Sequence, residues 1–228
     1  MKKWMALLAA AMMMLLCMTA LAEDSLKVVD EVAFAVTDEA NDRALIYVVL
    51  EVENTSNEEK SLGYQSSFSV MHQNGKEYSD GTFLSLYPQS LKPGEKGYIV
   101  PSTYSLTDFK TFDQVADYSY DLVADEPSYF TCSKYETTLE ERDGKTLIKM
   151  TNPTSDTLYN PSVVVVYRGE GGELLHLESN YLYDYGIPAG MSVYVDMTPR
   201  REVREFFENN GIEIHAAENF AYVTVYKY

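Results

Sequence analysis

The sequence predicts an all-β protein with a minor helical component, arranged as two antiparallel β-sandwiches in tandem. Short runs of β-branched and aromatic residues, separated by turns rich in Gly, Pro, Asn and Asp, are typical of antiparallel strands. A set of turn landmarks occurs twice in the same order, and no alternation of helix and strand indicates a parallel sheet. We therefore predict a signal peptide at 1–22, a first sandwich at 23–126 and a second at 127–228.

The first 22 residues have the composition of a secretory signal. Lys2 and Lys3 precede an unbroken apolar stretch, Met5–Met18, which is too short to span a bilayer comfortably as a helix. Ala20-Leu21-Ala22 fits the small-x-small pattern of signal peptidase sites, so we expect cleavage after Ala22. A retained anchor or a lipid on Cys17 are the alternatives. The prediction is a secreted or extracellular protein, free or associated with the cell envelope, without stable membrane insertion after cleavage.

The charge of the chain argues against some classes of partner. Asp and Glu number 35 against 18 Lys and Arg, which gives a net charge of −17, and removal of Lys2 and Lys3 makes the mature chain more acidic still. Such a chain is repelled by phosphate backbones and anionic headgroups. We therefore expect no nucleic acid and no anionic membrane surface as a direct partner.

The cysteine content is equally restrictive. Cys132 is the one cysteine that remains after cleavage, which excludes an internal disulfide and a zinc–cysteine cluster. We expect Cys132 to be a small buried residue. Pairing between two chains is the alternative.

The first repeated landmark is an asparagine at the end of a strand. An apolar run from Leu45 breaks at Asn54-Thr-Ser, and a run from Leu147 breaks at Asn152-Pro-Thr-Ser. The side chains of Asn and Ser hydrogen-bond nearby backbone groups and start turns. The two asparagines stand 98 residues apart, which matches the length of one sandwich of about 100 residues.

Two glycine turns follow in each copy. A hairpin turn is predicted at Asn74-Gly75 in the first copy and at Gly171-Gly172 in the second, because these pairs supply the positive φ that tight hairpins need. Gly94 and Gly190 then close turns that lead into alternating strands. The distance from the asparagine to this last glycine is 40 residues in the first copy and 38 in the second.

Each copy is then predicted to continue into a short amphipathic helix. Phe109, Phe112 and Val115 have the spacing i, i+3, i+6 in the first copy. In the second, Thr198 is expected to cap the helix, Pro199 to occupy its first position and Gly211 to end it. The side chains expected to face inward are Val203, Phe206 and Phe207.

At these residues a family resemblance becomes visible. The first copy, with Asn54-Thr-Ser, Asn74-Gly-Lys-Glu-Tyr78 and Leu91-Lys-Pro-Gly-Glu95, resembles the telokin-like, immunoglobulin-like extracellular domains of secreted Gram-positive bacterial proteins. The second, with Val163–Arg168 and Ile187–Gly190, resembles the FxLYD-type module, although Arg168 stands where that family usually has Asp. The resemblance implies two tandem immunoglobulin-like β-sandwiches, with no catalytic residues to carry over. Its motifs are structural turns, which specify fold better than function.

No catalytic, cofactor or metal site is predicted. His72, His176 and His215 lack the spacing of metal ligands, so surface or packing roles are expected for them. A Cys–His dyad would need Cys132, which lies in a strand-like run. The acidic stretch 38–42 lacks the EF-hand spacing and glycine, so a solvated hairpin tip is preferred over weak Ca²⁺ binding.

The candidate partner-binding residues are Tyr181, Tyr183 and Tyr185, which occupy every second position. In an extended strand they would share one face, with Leu182 and Asp184 on the other. An exposed row of tyrosines suits protein and sugar partners, because each ring offers a large surface with a polar tip. The alternatives are a row that lines the core and a row that stacks across strands on a solvated face.

The function predicted from the sequence is that of a non-enzymatic interaction module, with a protein or a cell-envelope glycan as partner. The alternatives are a structural spacer without specific binding and an extracellular hydrolase with an unrecognised site. An exposed aromatic patch would favour the binder, featureless charged faces the spacer, and a deep polar cleft the hydrolase.

Overall fold

The computed structural model describes residues 25–38, 43–78, 84–101, 105–106 and 114–227. Within these ranges the chain forms twenty strands and one α-helix, which confirms the predicted all-β class with a minor helix. No helix in the described ranges is long and apolar enough to cross a membrane. The predicted signal segment with Cys17, the first-copy residues Phe109 and Phe112, and the side chains of the acidic stretch 38–42 lie outside the described residues.

The strands of the first half form one main antiparallel sheet and two smaller facing sheets. The main sheet has the order β1-β2-β8-β6, with β9 beside β2, and the facing sheets have the orders β10-β4-β5 and β11-β3-β7. The bounds are β1 Leu26–Asp38, β2 Arg43–Asn54, β3 Lys60–Leu62, β4 Ser67–His72, β5 Glu77–Tyr78, β6 Leu84–Tyr87, β7 Ser90–Leu91, β8 Lys96–Pro101, β9 Ser105–Leu106, β10 Val115–Asp121 and β11 Ala124–Asp125.

The second half has the same kind of layering. Its main sheet has the order β12-β20-β16-β17, and β13-β14-β19 and β15-β18 form the other sheets. The bounds are β12 Phe130–Tyr135, β13 Thr137–Arg142, β14 Lys145–Thr151, β15 Leu158–Tyr159, β16 Ser162–Arg168, β17 Leu174–Tyr181, β18 Gly186–Ile187, β19 Ser192–Asp196, the helix α1 Arg201–Asn209 and β20 His215–Tyr226.

Each half encloses an apolar core of its own. In the first half Leu50 of β2 and Phe68 of β4 belong to one buried cluster, and in the second half Met150 of β14 and Val165 of β16 belong to another. Every strand ladder among the described residues joins strands on the same side of residue 126. The exact limits of the two predicted domains remain a prediction.

Asn54 is the polar anchor of the first half, because its amide is completely buried and fully hydrogen-bonded. Its Nδ2 donates to the carbonyl oxygens of Glu58 at 2.7 Å and Leu91 at 2.8 Å. Its Oδ1 accepts hydrogen bonds from the backbone N–H and the hydroxyl of Ser56. The side chain thus holds together the end of β2, the turn that follows it and the strand β7.

Asn152, which follows β14, repeats this set of bonds in the second half. It too is completely buried. Its Nδ2 donates to the carbonyl oxygens of Asp156 at 2.7 Å and Ile187 at 2.8 Å, and its Oδ1 accepts from the N–H and the hydroxyl of Thr154. The matching spacing in the sequence therefore corresponds to matching bonds in the structure.

The helix is where the sequence-based expectation needs correction. Val203 and Phe207 are buried as predicted, and Phe206 packs against the same cluster. However, α1 begins at Arg201, and Thr198 does not cap it, because its hydroxyl donates to Asp196 and accepts from the N–H of Thr146. In the first copy Val115 begins strand β10, so the predicted helix does not include it.

The two halves are joined by a broad apolar contact, which we call the seam. Val49 and Tyr98, from the main sheet of the first half, cluster with Val164, Val166 and Tyr222, from the main sheet of the second. All five are buried. The two main sheets therefore pack face to face in the middle of the molecule. The seam is thus a further apolar cluster that both halves share, in addition to the core that each half encloses.

A second shared cluster lies at the end of the seam. Phe34 and Val36 of β1 pack with Leu175 of β17 and with Val203 and Phe207 of α1. The apolar face of the only helix in the described ranges thus covers the first half as well as its own. The sequence predicted this face but not its partner.

Arg168 is the centre of the polar contact across the seam. Its Nη2 lies 2.6 Å from Oε2 of Glu51 and 3.0 Å from Oε1 of Glu218. Glu51 is only 3% exposed, and its other oxygen lies 2.7 Å from Nζ of Lys96. Arg168 is therefore an ionic link between the two halves.

Burial alone would raise the pKa of Glu51, but the hydrogen bonds from Arg168 and Lys96 outweigh it and hold the pKa below the ordinary value of 4.5. A carboxylate whose pKa is lower in the folded state stabilises that state at pH values above its unfolded pKa. The contribution is lost as the pH falls through the folded pKa. The seam is therefore expected to weaken below about pH 4.5.

Replacing Asn152 with Ala should lower the free energy of unfolding by about 3 kcal/mol, because the change leaves buried carbonyl groups without a donor and each costs about 1–3 kcal/mol. Urea unfolding of the mature chain measures this. Asn209→Ala, at an exposed position late in α1, is the matched control and should stay within about 0.5 kcal/mol of wild type. An equal effect of both changes would contradict the anchoring role of Asn152.

Gly94 and Gly190 have φ values of +72° and +70°, as the turn pattern predicts. A Cβ at either position would meet no atom within 4 Å, so the cost of Ala is conformational. We expect Gly190→Ala to cost about 1 kcal/mol or more, and Gly190→Asn to cost less, because Asn tolerates a positive φ better. The melting temperatures of the two variants measure this difference. A larger decrease for Gly190→Asn than for Gly190→Ala would refute the explanation by the positive φ.

Arg168→Met should destabilise the folded chain by about 3 kcal/mol, because it removes the main partner of a buried carboxylate. The double variant Arg168→Met, Glu51→Gln should recover part of this loss, since it buries no unpaired charge. Urea unfolding of wild type, both single variants and the double variant gives the four free energies of a double-mutant cycle. Additive effects would show that Arg168 and Glu51 act independently.

The Glu51→Gln variant should lose less stability than wild type as the pH falls from 5 to 3. The ordinary pKa of a Glu carboxyl, about 4.5, lies in this range, and the Gln side chain does not titrate.

Candidate binding cleft

A cleft of about 890 Å³ opens where the two halves meet, and we call it the tyrosine cleft. The first half contributes all four residues of β6 together with Ser61, Leu62 and Gln89. The second half contributes Tyr129 and Phe130, the segment around β15, and the end of β20. The seam creates this cleft, because the contact between the main sheets sets β6 against β20.

The aromatic rings of the cleft divide into a buried floor and an exposed rim. On the floor, the rings of Tyr87 and Tyr222 meet edge to face, with centroids 6.5 Å apart, and Tyr222 is buried in the seam. On the rim, the rings of Tyr129 and Tyr226 are stacked, with centroids 6.4 Å apart. The rim rings thus offer open aromatic surface, while the floor ties the cleft to the seam.

Half or more of each rim tyrosine is exposed. The exposed fractions are 57% for Tyr129, 64% for Tyr159, 57% for Tyr181 and 50% for Tyr226. Large exposed aromatic surface around a concavity is typical of binding sites rather than of a solvated face. Each phenol can also donate and accept a hydrogen bond.

The lining of the cleft contains no charged side chain among the described residues. Its twenty residues are apolar, aromatic, hydroxyl-bearing or amide-bearing, in a chain where 23% of residues are charged and the net charge is −17. A charged ligand would find no counter-ion in the cleft, and burying an unpaired charge there would cost free energy. The cleft is therefore suited to an uncharged ligand.

Burial governs the ionisable groups next to the cleft. It raises the pKa of the Tyr222 phenol, so that this group stays protonated. Burial also raises the pKa of the Cys132 thiol, which is half-buried in the seam. A raised pKa lowers the thiolate fraction and hence the reactivity of the sulfur. Pairing of Cys132 between chains remains a prediction.

The structure brings one of the three predicted tyrosines into the cleft. Tyr181 lines it, and Tyr183 packs beside Tyr181 with ring centroids 6.1 Å apart. Tyr185 is not among the lining residues. All three are at least half exposed, so the alternative of a row buried in the core is wrong. Their role in binding a partner remains a prediction.

The extended strand predicted for this segment ends at Tyr181. Tyr183 and Asp184 form a tight turn, in which Asp184 has a φ of +56° and the N–H of Tyr185 donates to the carbonyl of Leu182. The Oδ1 of Asn160 holds the turn through the N–H of Asp184 at 2.8 Å. The alternation of faces predicted for the tyrosines is therefore wrong, because a turn with an unusual non-glycine residue replaces the strand.

The three histidines lie in different surroundings. His72 accepts a hydrogen bond from the N–H of Asn74 in a hairpin. His176 is buried among the rings of Phe34, Tyr47 and Tyr167, with Nε2 3.0 Å from Glu178.

His215 is exposed and lies near two acidic side chains. Its ring nitrogen and carboxylate oxygens of Glu170 and Glu213 lie within 4.8 Å of one another. All three residues are exposed, and such groups are common on acidic surfaces without an ion. We assign no role to this cluster.

Sequence reasoning missed most of the cleft, because its residues are far apart in the chain. Tyr129 and Tyr226 lie at opposite ends of the second half and come together through the pairing of Phe130 with Tyr226 between β12 and β20. The number of tyrosines, 19 in 228 residues, was the one signal available. It does not indicate which of them share a surface.

The chain matches no model of a known protein family, and no curated protein matches it significantly. The resemblance to telokin-like and FxLYD-type domains therefore stays a prediction that rests on the turn motifs alone.

Proposed function

We propose that this chain is a secreted, non-enzymatic interaction module that binds an uncharged partner in the tyrosine cleft. The observation that carries the proposal is that none of the twenty described lining residues is charged, on a strongly acidic chain, and that exposed tyrosines form the rim. In this proposal the partner is a protein or a cell-envelope glycan, and the two immunoglobulin-like halves form the walls of the site.

Physical chemistry supports this use of the cleft. Ligand sites are concave, mostly apolar, and fix orientation through a few polar groups. Here Ser85, Gln89 and Asn160 supply hydroxyl and amide groups between the aromatic rings. Tyrosine-rich surfaces bind well because a rigid ring loses little conformational entropy on binding.

A structural spacer is the second candidate, and the seam is the observation that favours it. Val164 and Val166 are completely buried between the halves, and Arg168 links the halves through Glu51. A spacer needs a fixed angle between its modules, which such a contact favours. A spacer does not need exposed tyrosines around a cleft. Loss of the rim tyrosines should therefore impair an interaction module but not a spacer.

Replacing Tyr129, Tyr181 and Tyr226 singly with Ser should weaken binding in the cleft about thirtyfold while leaving the fold intact. The rings are at least half exposed, so each change should alter the free energy of unfolding by less than about 1 kcal/mol. Loss of a central aromatic contact typically costs 2 kcal/mol or more of binding, or about thirtyfold in Kd. Two probe sets serve: end-blocked uncharged heptapeptides, and neutral oligosaccharides of glucose or N-acetylglucosamine. Calorimetry and amide NMR shifts of the mature chain detect binding.

Tyr64→Ser is the matched control, because Tyr64 is 89% exposed and lies outside the cleft. It should bind each probe as wild type does. If no probe shifts the amides of the cleft, or if Tyr64→Ser and the rim variants behave alike, the cleft is not a binding site. The spacer then becomes the better explanation.

A further inference from the structure

The last residues of β20 form a strand edge without a partner in the described structure. β20 pairs with β12 as far as Tyr226, but its ladder with β16 stops at Tyr222, opposite Ser162. Among the described strands, the four residues 223–226 therefore have a neighbour on one side only. All four line the tyrosine cleft.

The edge at residues 223–226 is not covered by β16 because β16 begins only at Ser162. Before Ser162, the backbone belongs to a different sheet: Asn160, at a φ of +51°, donates its N–H to the carbonyl of Tyr185, and the carbonyl of Pro161 accepts from Leu182. β15 accordingly pairs with β18 and not with β20. Open space, which we call the lane, is thus left beside residues 223–226, in line with β16.

The backbone groups that face this lane follow from the hydrogen-bond pattern. The N–H of Lys227 donates to the carbonyl of Tyr129, on the β12 side. Groups of alternate residues in a strand point to the same side, so residues 225 and 223 also face β12. The N–H and C=O groups of Thr224 and Tyr226 face the lane.

The opposite wall of the cleft is also a strand edge. β6 pairs with β8 alone among the described strands, and all four of its residues line the cleft. Side chains alternate between the two faces of a strand, so a cleft that touches four consecutive residues runs along the edge. An extended segment in the lane would therefore meet backbone on one side and the apolar side chains Leu84, Leu86 and Tyr87 nearby.

We infer that the tyrosine cleft binds an extended, uncharged polypeptide segment, which adds as a strand beside Val223–Tyr226 in line with β16. The inference rests on the proposed function and names the class of ligand. Main-chain hydrogen bonds to Thr224 and Tyr226 supply affinity, and the walls of the cleft select side chains, as in other cases of strand addition. No charged side chain among the described lining residues would pair with a terminal carboxylate or amine, so we expect the segment to be internal to its own chain.

Peptide probes with blocked N–H groups test the main-chain bonds directly. End-blocked heptapeptides of Val, Thr, Tyr, Ser and Asn are screened on an array, and the best binder is remade with N-methyl groups on its odd or its even residues. A peptide strand that pairs with residues 223–226 directs the N–H groups of only its odd or only its even residues toward them. We expect one set of N-methyl groups to weaken binding at least tenfold and the other to change it less than threefold. Equal losses from both sets would overturn strand addition.

Peptides with a central Lys or Glu test the preference for an uncharged ligand. They should bind at least tenfold more weakly, and equal binding of charged and uncharged peptides would overturn this preference.

A variant of the protein tests the same bond from the other side. Thr224→Pro removes the N–H that faces the lane without removing a bond to β12, and proline is tolerated where a strand edge faces solvent. It should weaken peptide binding at least tenfold, and by more than Thr224→Val, which changes the side chain but keeps the N–H. Tyr64→Ser, which lies outside the cleft, should bind as wild type. If Thr224→Pro does not fold, the N-methyl comparison alone decides.

The outcomes separate this inference from the function on which it rests. Oligosaccharide binding that depends on Tyr181 and Tyr226, without peptide binding, would overturn strand addition and leave the cleft as a binding site. Absence of binding by every probe would overturn both. Peptide binding that survives loss of the rim tyrosines and Thr224→Pro would place the peptide elsewhere on the chain, which also overturns the inference.

Discussion

The contact between the two main sheets is the constraint on which the rest of the structure depends. It explains why β16 has four consecutive valines that are all completely buried. Val163 and Val165 face the core of the second half, while Val164 and Val166 face the seam. A strand covered on both faces has no solvent side, so an alternating polar pattern is absent. The apolar contact buries most of the area between the halves. Arg168 with Glu51 favours one relative position, because in any other register the buried carboxylate of Glu51 would keep Lys96 but lose Arg168 as a partner.

The sequence specified local structure better than it specified contacts. Asn54, Asn152, Gly94 and Gly190 were predictable because each acts on backbone within a few residues or on one returning turn, and their bonds match in both halves. The position of Arg168 at the end of a predicted strand could be seen in the sequence, but its partners are 117 and 50 residues away. No local rule connects it to Glu51. The stability predicted for the Arg168 and Glu51 variants thus depends on tertiary contacts that a single sequence does not display.

The tyrosines illustrate the same limit at the candidate site. Their spacing at 181, 183 and 185 fits a strand, but Asn160 binds the N–H of Asp184 and stabilises a turn instead. Asp and Asn adopt positive φ more readily than most residues, so the turn was chemically allowed although no glycine marks it. The rings remain exposed either way. What the pattern could not show was that Tyr181 shares a cleft with Tyr129 and Tyr226, since that requires the pairing of β12 with β20.

The cleft exists because strands stop at different places, and the causes are local. Pro161 cannot donate a backbone hydrogen bond, and Asn160 turns the chain through a positive φ, so the backbone before Ser162 leaves the main sheet. β20 nevertheless continues to Tyr226, because β12 supports it from the other side. An exposed apolar strand edge of this kind promotes aggregation unless it is protected or used. The segment 223–226 lines a cleft with walls from both halves, so an extended segment bound in the cleft would cover this edge. The ligand that we infer therefore uses the edge that would otherwise remain unpaired.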